Sequence, residues 1–290
     1  MEDTTDTIRL ILIPAQLTEI PQPPKQLYCR GVAPEEGELM LTVVGSRAYT
    51  SYGKEACETL ISGLRGYPIS IVSGLALGID AIAHTAALKA GLRTIAVPGS
   101  GLRDDVLYPR TNVALAKKII DAGGALLSEY EPDFAATKWS FVQRNRIMAG
   151  LSKAVLVIEA GEKSGTLVTS RLATDYNRDV FAVPGSIFSE TSKGPNMLIT
   201  LGATPIRTSA DILLALGFNI DTESAASEIE IDLSQYSEQE RAVYTMLASP
   251  TEREELTVTL GLSVSDANIL LMKMEIAGLI KDTPLGLIRA

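Results

Sequence analysis

Residues 41–73 read LTVVGSRAYTSYGKEACETLISGLRGYPISIVS. The stretch opens and closes on short apolar, β-branched runs, LTVVG at 41–45 and ISIVS at 69–73, with an amphipathic segment at 53–64 between them. A continuous apolar run of this length suits a strand covered on both faces, and parallel neighbours need a helix-length crossover, so the stretch reads as strand, helix, strand. Outward from it the pattern repeats. Further candidate strands lie at 94–98 (TIAVP), 125–128 (ALLS), 154–159 (AVLVIE) and 180–183 (VFAV), with helical stretches at 79–90, 111–122 and 168–177. The expected fold class is α/β, a Rossmann-like doubly wound, mostly parallel sheet. Most of the strands run into Gly, Ser or Pro, as at Gly45-Ser46, Ser73-Gly74, Pro98-Gly99 and Pro184-Gly185. Ligands of open α/β sheets sit at the carboxyl ends of the strands, so the chemistry is sought there.

Apolar residues make up 46% of the chain and aromatics only 5%, which fits a sheet buried under helices better than a β-sandwich. No apolar run approaches the length of a bilayer span, and the acidic start, Met1 to Leu10, lacks the pattern of a secretory signal, so a cytoplasmic protein without membrane contact is expected. Cys29 and Cys57 show no paired spacing, so neither a disulfide framework nor a metal site is indicated. The net charge of −9 speaks against a polyanion partner until it is divided along the chain. Residues 1–39 carry −4 and form an entry segment, turn-rich from Pro14 to Pro34; residues 40–218 carry +3 and form the Rossmann-like domain. Residues 219–236 (NIDTESAASEIEIDLSQY) carry −5 and read as an acidic linker. Residues 237–290 carry −3 and show helical patterns at 238–248, 252–260 and 264–277, the last with Ser263 as N-cap. Segments 278–280 and 285–288 then flank a Thr-Pro turn, which predicts a small C-terminal winged-helix domain. A polyanion would be held by the central domain or nowhere.

Five clusters could carry chemistry. Gly45-Ser46-Arg47 ends the first strand before a helix, where backbone N–H groups and the helix N-terminus favour an anion and Arg47 can grip a phosphate. Read bare, the tripeptide is as easily a turn with a solvent-facing Arg. Gly99-Ser100-Gly101 with Tyr108-Pro109 resembles half of a dinucleotide fingerprint, but Asp104 stands where its third Gly belongs and the acidic Asp121 lies at a helix end, which speaks against NAD. Arg144-Asn145-Arg146 opens a helical stretch, 142–151, just after Trp139 and Phe141. Arginines two apart cannot share a helical face but can embrace a strand from two sides, and neighbouring aromatics can stack its bases. Lys163-Ser164-Gly165-Thr166 follows a strand and begins a helix, a phosphate cradle that is not a Walker A loop. Lys193-Gly194-Pro195-Asn196 adds a cation and a turn. His84, the only histidine, stands one helical turn after Asp80, so an Asp80–His84 contact with a structural role is expected.

Taken in order, VGSR at 44–47, SGLALGIDAIAH at 73–84, GSGL at 99–102 with YP at 108–109, SEYEP at 128–132, FVQRNRIMAGLS at 141–152, SGTLVTSRLA at 164–173, FAVPGS at 181–186 and GPNMLITLGA at 194–203 resemble the DprA/Smf family of DNA-processing proteins. The resemblance covers 12–216, and the lead-in EIPQPP with LYCRG fits it as well. It implies a protein that binds and protects single-stranded DNA, pairs as a homodimer, and loads the RecA recombinase in natural transformation, with no cofactor and no turnover chemistry. It implies a polyanion pocket lined by Gly45, Ser46, Arg47, Arg144, Asn145, Arg146, Lys163, Ser164, Gly165 and Thr166, with Lys138 and Lys193 peripheral. The helical domain that precedes the entry segment in many members is expected to be reduced here to Met1–Thr7, so no role of that domain is carried over.

The expected mechanism gathers Arg47, Arg144, Arg146 and Lys163 at one mouth of the sheet to neutralise phosphates, while Phe141 or a neighbour stacks a base. Two protomers would pair through Leu198, Ile199, Leu213 and Leu216, although their spacing fits core helices equally well. The competing enzyme reading is a nucleotide phosphoribohydrolase of the LOG type, whose loop carries Glu where Thr169 stands here. A second alternative makes the C-terminal domain a duplex reader, but its candidate recognition helix, 265–277, has one Lys, Lys273, against Asp266 and Glu275.

Overall fold

A computed structural model describes residues 6–219, 236–247, 251–283 and 286–289. The chain divides into two compact units, residues 1–220 and 221–290. In the first, the strands are β1 (Arg9–Leu10), β2 (Tyr28–Gly31), β3 (Met40–Val44), β4 (Ser70–Ser73), β5 (Thr94–Ala96), β6 (Ala125–Ser128), β7 (Ala154–Val157), β8 (Asp179–Ala182) and β9 (Thr204–Pro205). They form one sheet in the order β1-β2-β6-β5-β4-β3-β7-β8-β9. From β6 to β9 every pair is parallel; β2 is antiparallel to both β6 and β1. The Rossmann-like, mostly parallel sheet expected from the sequence is therefore present.

The chain builds outward from β3 through β4 and β5 to β6, then returns to lay β7 on the other side of β3, with Leu41 opposite Ala154 and Val44 opposite Val157. That reversal opens a crevice between the loops after β3 and β7, where ligands of such sheets bind.

Alternation along the central strands sorts the core into two layers. Leu41, Val43, Ile71 and Leu156 pack beneath α2 (Ser51–Ser62), α3 (Ile79–Lys89) and α8 (Ser209–Ala215), against Ile61, Ala83 and Ile212. Val44, Val72, Val155 and Val157 pack beneath α5 (Lys138–Leu151) and α6 (Thr166–Asp175), against Ile147, Met148 and Ala173. α4 (Val113–Asp121) closes a smaller cluster on Ala96 and Leu126, and α7 (Lys193–Thr200) follows β8. Thr42 is the polar interruption in β3; its hydroxyl is satisfied by Met148 O at 2.9 Å and Ser152 Oγ at 2.7 Å.

Three expectations are corrected. The entry segment is part of the first unit rather than a separate piece: it supplies β1, β2 and the four-residue α1 (Ala15–Thr18), and buries Leu17, Leu27 and Cys29 in the main core. The helix expected to open at 142 begins at Lys138, because Thr137 and Ser140 form a reciprocal capping box. His84 does not meet Asp80; its Nδ1 lies 2.7 Å from Thr94 Oγ1, and full burial pushes the imidazole down to about 3, so it is a neutral core residue.

The second unit holds α9 (Glu238–Met246), α10 (Arg253–Leu260), α11 (Val264–Ile276) and an antiparallel hairpin of β10 (Ile280–Thr283) and β11 (Gly286–Arg289), with a bridge from Thr251 to Leu287. Three helices and a hairpin agree with the order expected for a winged helix. Ser263 caps α11 as expected, its Oγ accepting from Asp266 N at 3.2 Å. Leu285 and most of the acidic segment 219–236 fall outside the described residues. Lys273, the one cation of the candidate recognition helix, donates to Glu240 at 3.0 Å, and the helix turns Val264, Ile269, Met272 and Ile276 outward. Among the described residues no single helix is long and apolar enough to cross a membrane.

Candidate nucleic-acid interface

The crevice at the ends of β3, β4 and β7 has a volume of about 660 Å³. Its walls come from the loop after β3, the start of α3, one face of α5 and the N-terminus of α6. The phase of α5 is set by its cap: with Lys138 at the first helical position, Lys138, Phe141, Val142, Asn145 and Met148 fall on the crevice side, the i, i+3, i+4, i+7 relation of one helical face.

Of the sequence-predicted residues, Gly45, Ser46, Arg47, Lys138, Arg144, Asn145, Ser164, Gly165 and Thr166 line this crevice together. Arg47 and Lys138 are exposed and have no carboxylate partner among the described residues. The Arg47 guanidinium stands 5.7 Å from the centroid of the Phe141 ring, and Phe141 lies 5.5 Å from Tyr108, so two cations and two aromatic rings share the rim. Thr166 donates from its hydroxyl to Gly45 O at 3.2 Å, which ties the first turn of α6 to the end of β3. The open N–H groups of that turn add a partial positive charge to the same mouth.

Arg144 is different. It is 5% exposed. Its Nη1 donates to Gly74 O at 2.5 Å and to Val97 O, its Nε to Asn145 Oδ1 at 2.9 Å, and its Nη2 lies 3.8 Å from Asp80 Oδ2. The side chain therefore bridges the ends of β4 and β5 from below and has its charge matched by a buried carboxylate. Asp80 also accepts from the amides of Gly74 at 3.2 Å and Ala76 at 3.4 Å. Burial pushes the Asp80 carboxyl above its ordinary range, against the pull of Arg144 and those amides, and burial lowers Arg144 in turn.

The expected gathering of four cations is corrected. Arg146 points away from the crevice, as its position two residues after Arg144 requires, and pairs with Glu129 beneath the loop at 129–134. Lys163 is exposed but does not line the crevice, and Lys193 is engaged with Glu190 at 2.7 Å at the start of α7. The free charge at the mouth comes from Arg47 and Lys138, the second expected only at the periphery. The expected pairing surface changes too. Leu213 is 4% exposed and belongs to the core; Leu198, Ile199 and Leu216 are half-buried, Leu198 and Leu216 against the core. Exposed apolar surface near β9 comes from Met197, Leu201 and Leu214.

Two residues that sequence reasoning left without a role hold the site in shape. Glu159, 1% exposed at the end of β7, accepts from Thr50 N at 2.9 Å, Thr50 Oγ1 at 2.6 Å and Thr191 Oγ1 at 2.9 Å. It thereby pins the loop that carries Arg47 across the switch point. Asp80 forms the crevice floor; its signal was the SGLALGID stretch, read only as part of a motif. Thr169 also lines the crevice, at the position where the hydrolase loop would carry its Glu.

Residues 9–217 match the family model of DNA recombination-mediator protein A. Protein Smf of Escherichia coli is 37% identical over 284 residues, covering 95% of this chain and 74% of that protein. DNA processing protein DprA of Streptococcus pneumoniae is 43% identical over 205 residues, 71% of each chain, and its X-ray structure superposes with a TM-score of 0.65 at 38% identity over 74% of this chain and 76% of that one. A solved DNA processing protein A from Helicobacter pylori, described for its single-stranded DNA binding mode, gives a TM-score of 0.64 at 34% identity over 72% of this chain and 95% of that one.

Proposed function

The chain belongs to the DNA recombination-mediator protein A family, the DprA/Smf DNA-processing proteins, and from that premise we propose that it binds single-stranded DNA across the β3/β7 crevice. The observation that carries the reading is the pairing of two unpartnered cations, Arg47 and Lys138, with the Phe141 ring at the carboxyl ends of the strands. Phosphates dock at the rim on Arg47, Lys138 and the first turn of α6, while a base enters against Phe141. A stacked duplex keeps its bases inside, so a crevice of about 660 Å³ favours the single strand.

The test is a salt titration of the whole chain with single-stranded and duplex oligonucleotides of equal length. The single strand binds more tightly at every salt concentration. Arg47→Ala weakens binding to all sequences alike and flattens the salt dependence by about one unit. Unchanged affinity in Arg47→Ala and Lys138→Ala together rules this site out. Nucleoside monophosphates release no free base, since the position of the hydrolase Glu is Thr169.

As part of the same proposal, the bound strand is passed to RecA, and two protomers pair through exposed Met197, Leu201 and Leu214 beside β9 in place of Leu213. RecA nucleation on single-stranded DNA with and without the protein, and light scattering of the protein alone, are the measurements.

A further inference from the structure

Resting on the single-strand reading, the floor of the crevice has a chemistry of its own. Asp80, 6% exposed, has Oδ2 occupied by the Gly74 and Ala76 amides, while Oδ1 makes no hydrogen bond among the described residues. Arg144 has Nε and Nη1 occupied, while Nη2 makes no hydrogen bond. Asn145, 9% exposed, gives its Oδ1 to Arg144 and leaves its amide N–H groups free. None of these three free atoms is shut off from solvent, and all three side chains line the crevice. A buried acceptor and two buried donors therefore face the same small space.

Phosphate does not suit that space. The positive charge of Arg144 is already matched by Asp80, and an anion about 4 Å from the free Asp80 oxygen would be repelled by about 4 kcal/mol at an effective dielectric of 20. What suits it is a flat, uncharged group that offers an N–H beside a carbonyl or ring nitrogen and slides in along an aromatic wall. The edge of a nucleobase has that pattern. We infer that Asp80 and Arg144 read the hydrogen-bonding edge of one inserted base, Asp80 Oδ1 accepting its N–H and Arg144 Nη2 or the Asn145 amide donating to the neighbouring acceptor. Phosphates stay at the rim on Arg47 and Lys138, and the floor makes the site a base seat. For thymine the donor is N3–H and the acceptor a ring carbonyl.

The test is a cycle between protein and ligand, with three oligonucleotides of equal length on the whole chain: oligothymidine, the same backbone with abasic sugars, and N3-methylthymidine. Wild type binds oligothymidine about tenfold more tightly than either modified strand. Asp80→Asn, which turns the floor acceptor into a donor, loses that preference and binds the three alike. Equal weakening by Asp80→Asn on oligothymidine and on the abasic strand overturns the inference, because a structural or phosphate role would not depend on the base. Should Asp80→Asn fold poorly, the wild-type comparison decides: equal affinity for thymidine and N3-methylthymidine overturns it. If that happens while Arg47→Ala still weakens oligothymidine binding, the floor role alone falls; if wild type binds none of the three, the single-strand reading and the floor role fall together.

Discussion

Arg144→Ala costs the first unit about 3–5 kcal/mol of stability, the range for leaving a buried charge without its partner, and lowers its melting transition by roughly 6 to 20 °C. The change would leave the Asp80 carboxylate buried without its cation and strip Gly74 O and Val97 O of their donor at the ends of two adjacent strands. No neighbour is placed to fill in, since a Cβ built on Gly74 would already stand 2.2 Å from the guanidinium nitrogens. Arg47→Ala, on an exposed side chain without an ion-pair partner, changes stability by no more than about 0.5 kcal/mol. The two arginines of one crevice thus separate cleanly: one variant weakens DNA binding in a protein that melts normally, the other weakens the protein. Denaturant and thermal unfolding of both variants decide it. An Arg144→Ala protein that melts with wild type would remove the structural role given to this side chain, and its loss of DNA binding would then count as a lost contact.

That separation is where sequence reading reached its limit. Parallel strands such as LTVVG and AVLVIE announce themselves because burial on both faces demands a continuous apolar run, and their Gly- and Ser-rich ends mark the mouth of the sheet. β2 announces nothing: it reads YCRG, with an arginine whose charge is met by Asp6 and Asp104 and by Leu102 O at 3.0 Å, all distant in sequence. Within the site, the composition of FVQRNR gave the residue types but not their directions. Directions follow from helix phase, and the phase follows from the cap at Thr137 and Ser140, four residues before the assumed start. With that start the pair 144 and 146 divides, one side chain to the strand ends and the other to Glu129. A buried arginine and an exposed one are the same letter; only the carboxylate and carbonyls brought up by the fold distinguish them.

The turn that aims Arg47 depends on a residue with no side chain, and Gly78→Ala should show it. Gly78 stands before α3 at φ +83° and ψ −134°, a conformation that a residue with a Cβ holds only at a cost of about 1–3 kcal/mol. A Cβ there would also lie 2.4 Å from Ser46 O and 2.6 Å from Arg47 Cα, both backbone atoms that cannot rotate aside. The contact is part of the architecture, for Ile79 N donates to Ser46 O at 3.2 Å and so clamps the turn to the start of α3. Alanine must therefore either break that hydrogen bond or push the Ser46-Arg47 turn outward, and both outcomes carry the guanidinium away from Phe141. The expected result is a loss of about 3 kcal/mol in stability, the upper end of that backbone cost, with single-strand affinity falling about as far as in Arg47→Ala although every cation is still present. Because both changes act on one contact, the double variant Gly78→Ala with Arg47→Ala should bind hardly worse than either single one. Additive losses in the double variant, or wild-type affinity in Gly78→Ala, would mean that Arg47 finds the strand without the turn that the fold builds for it.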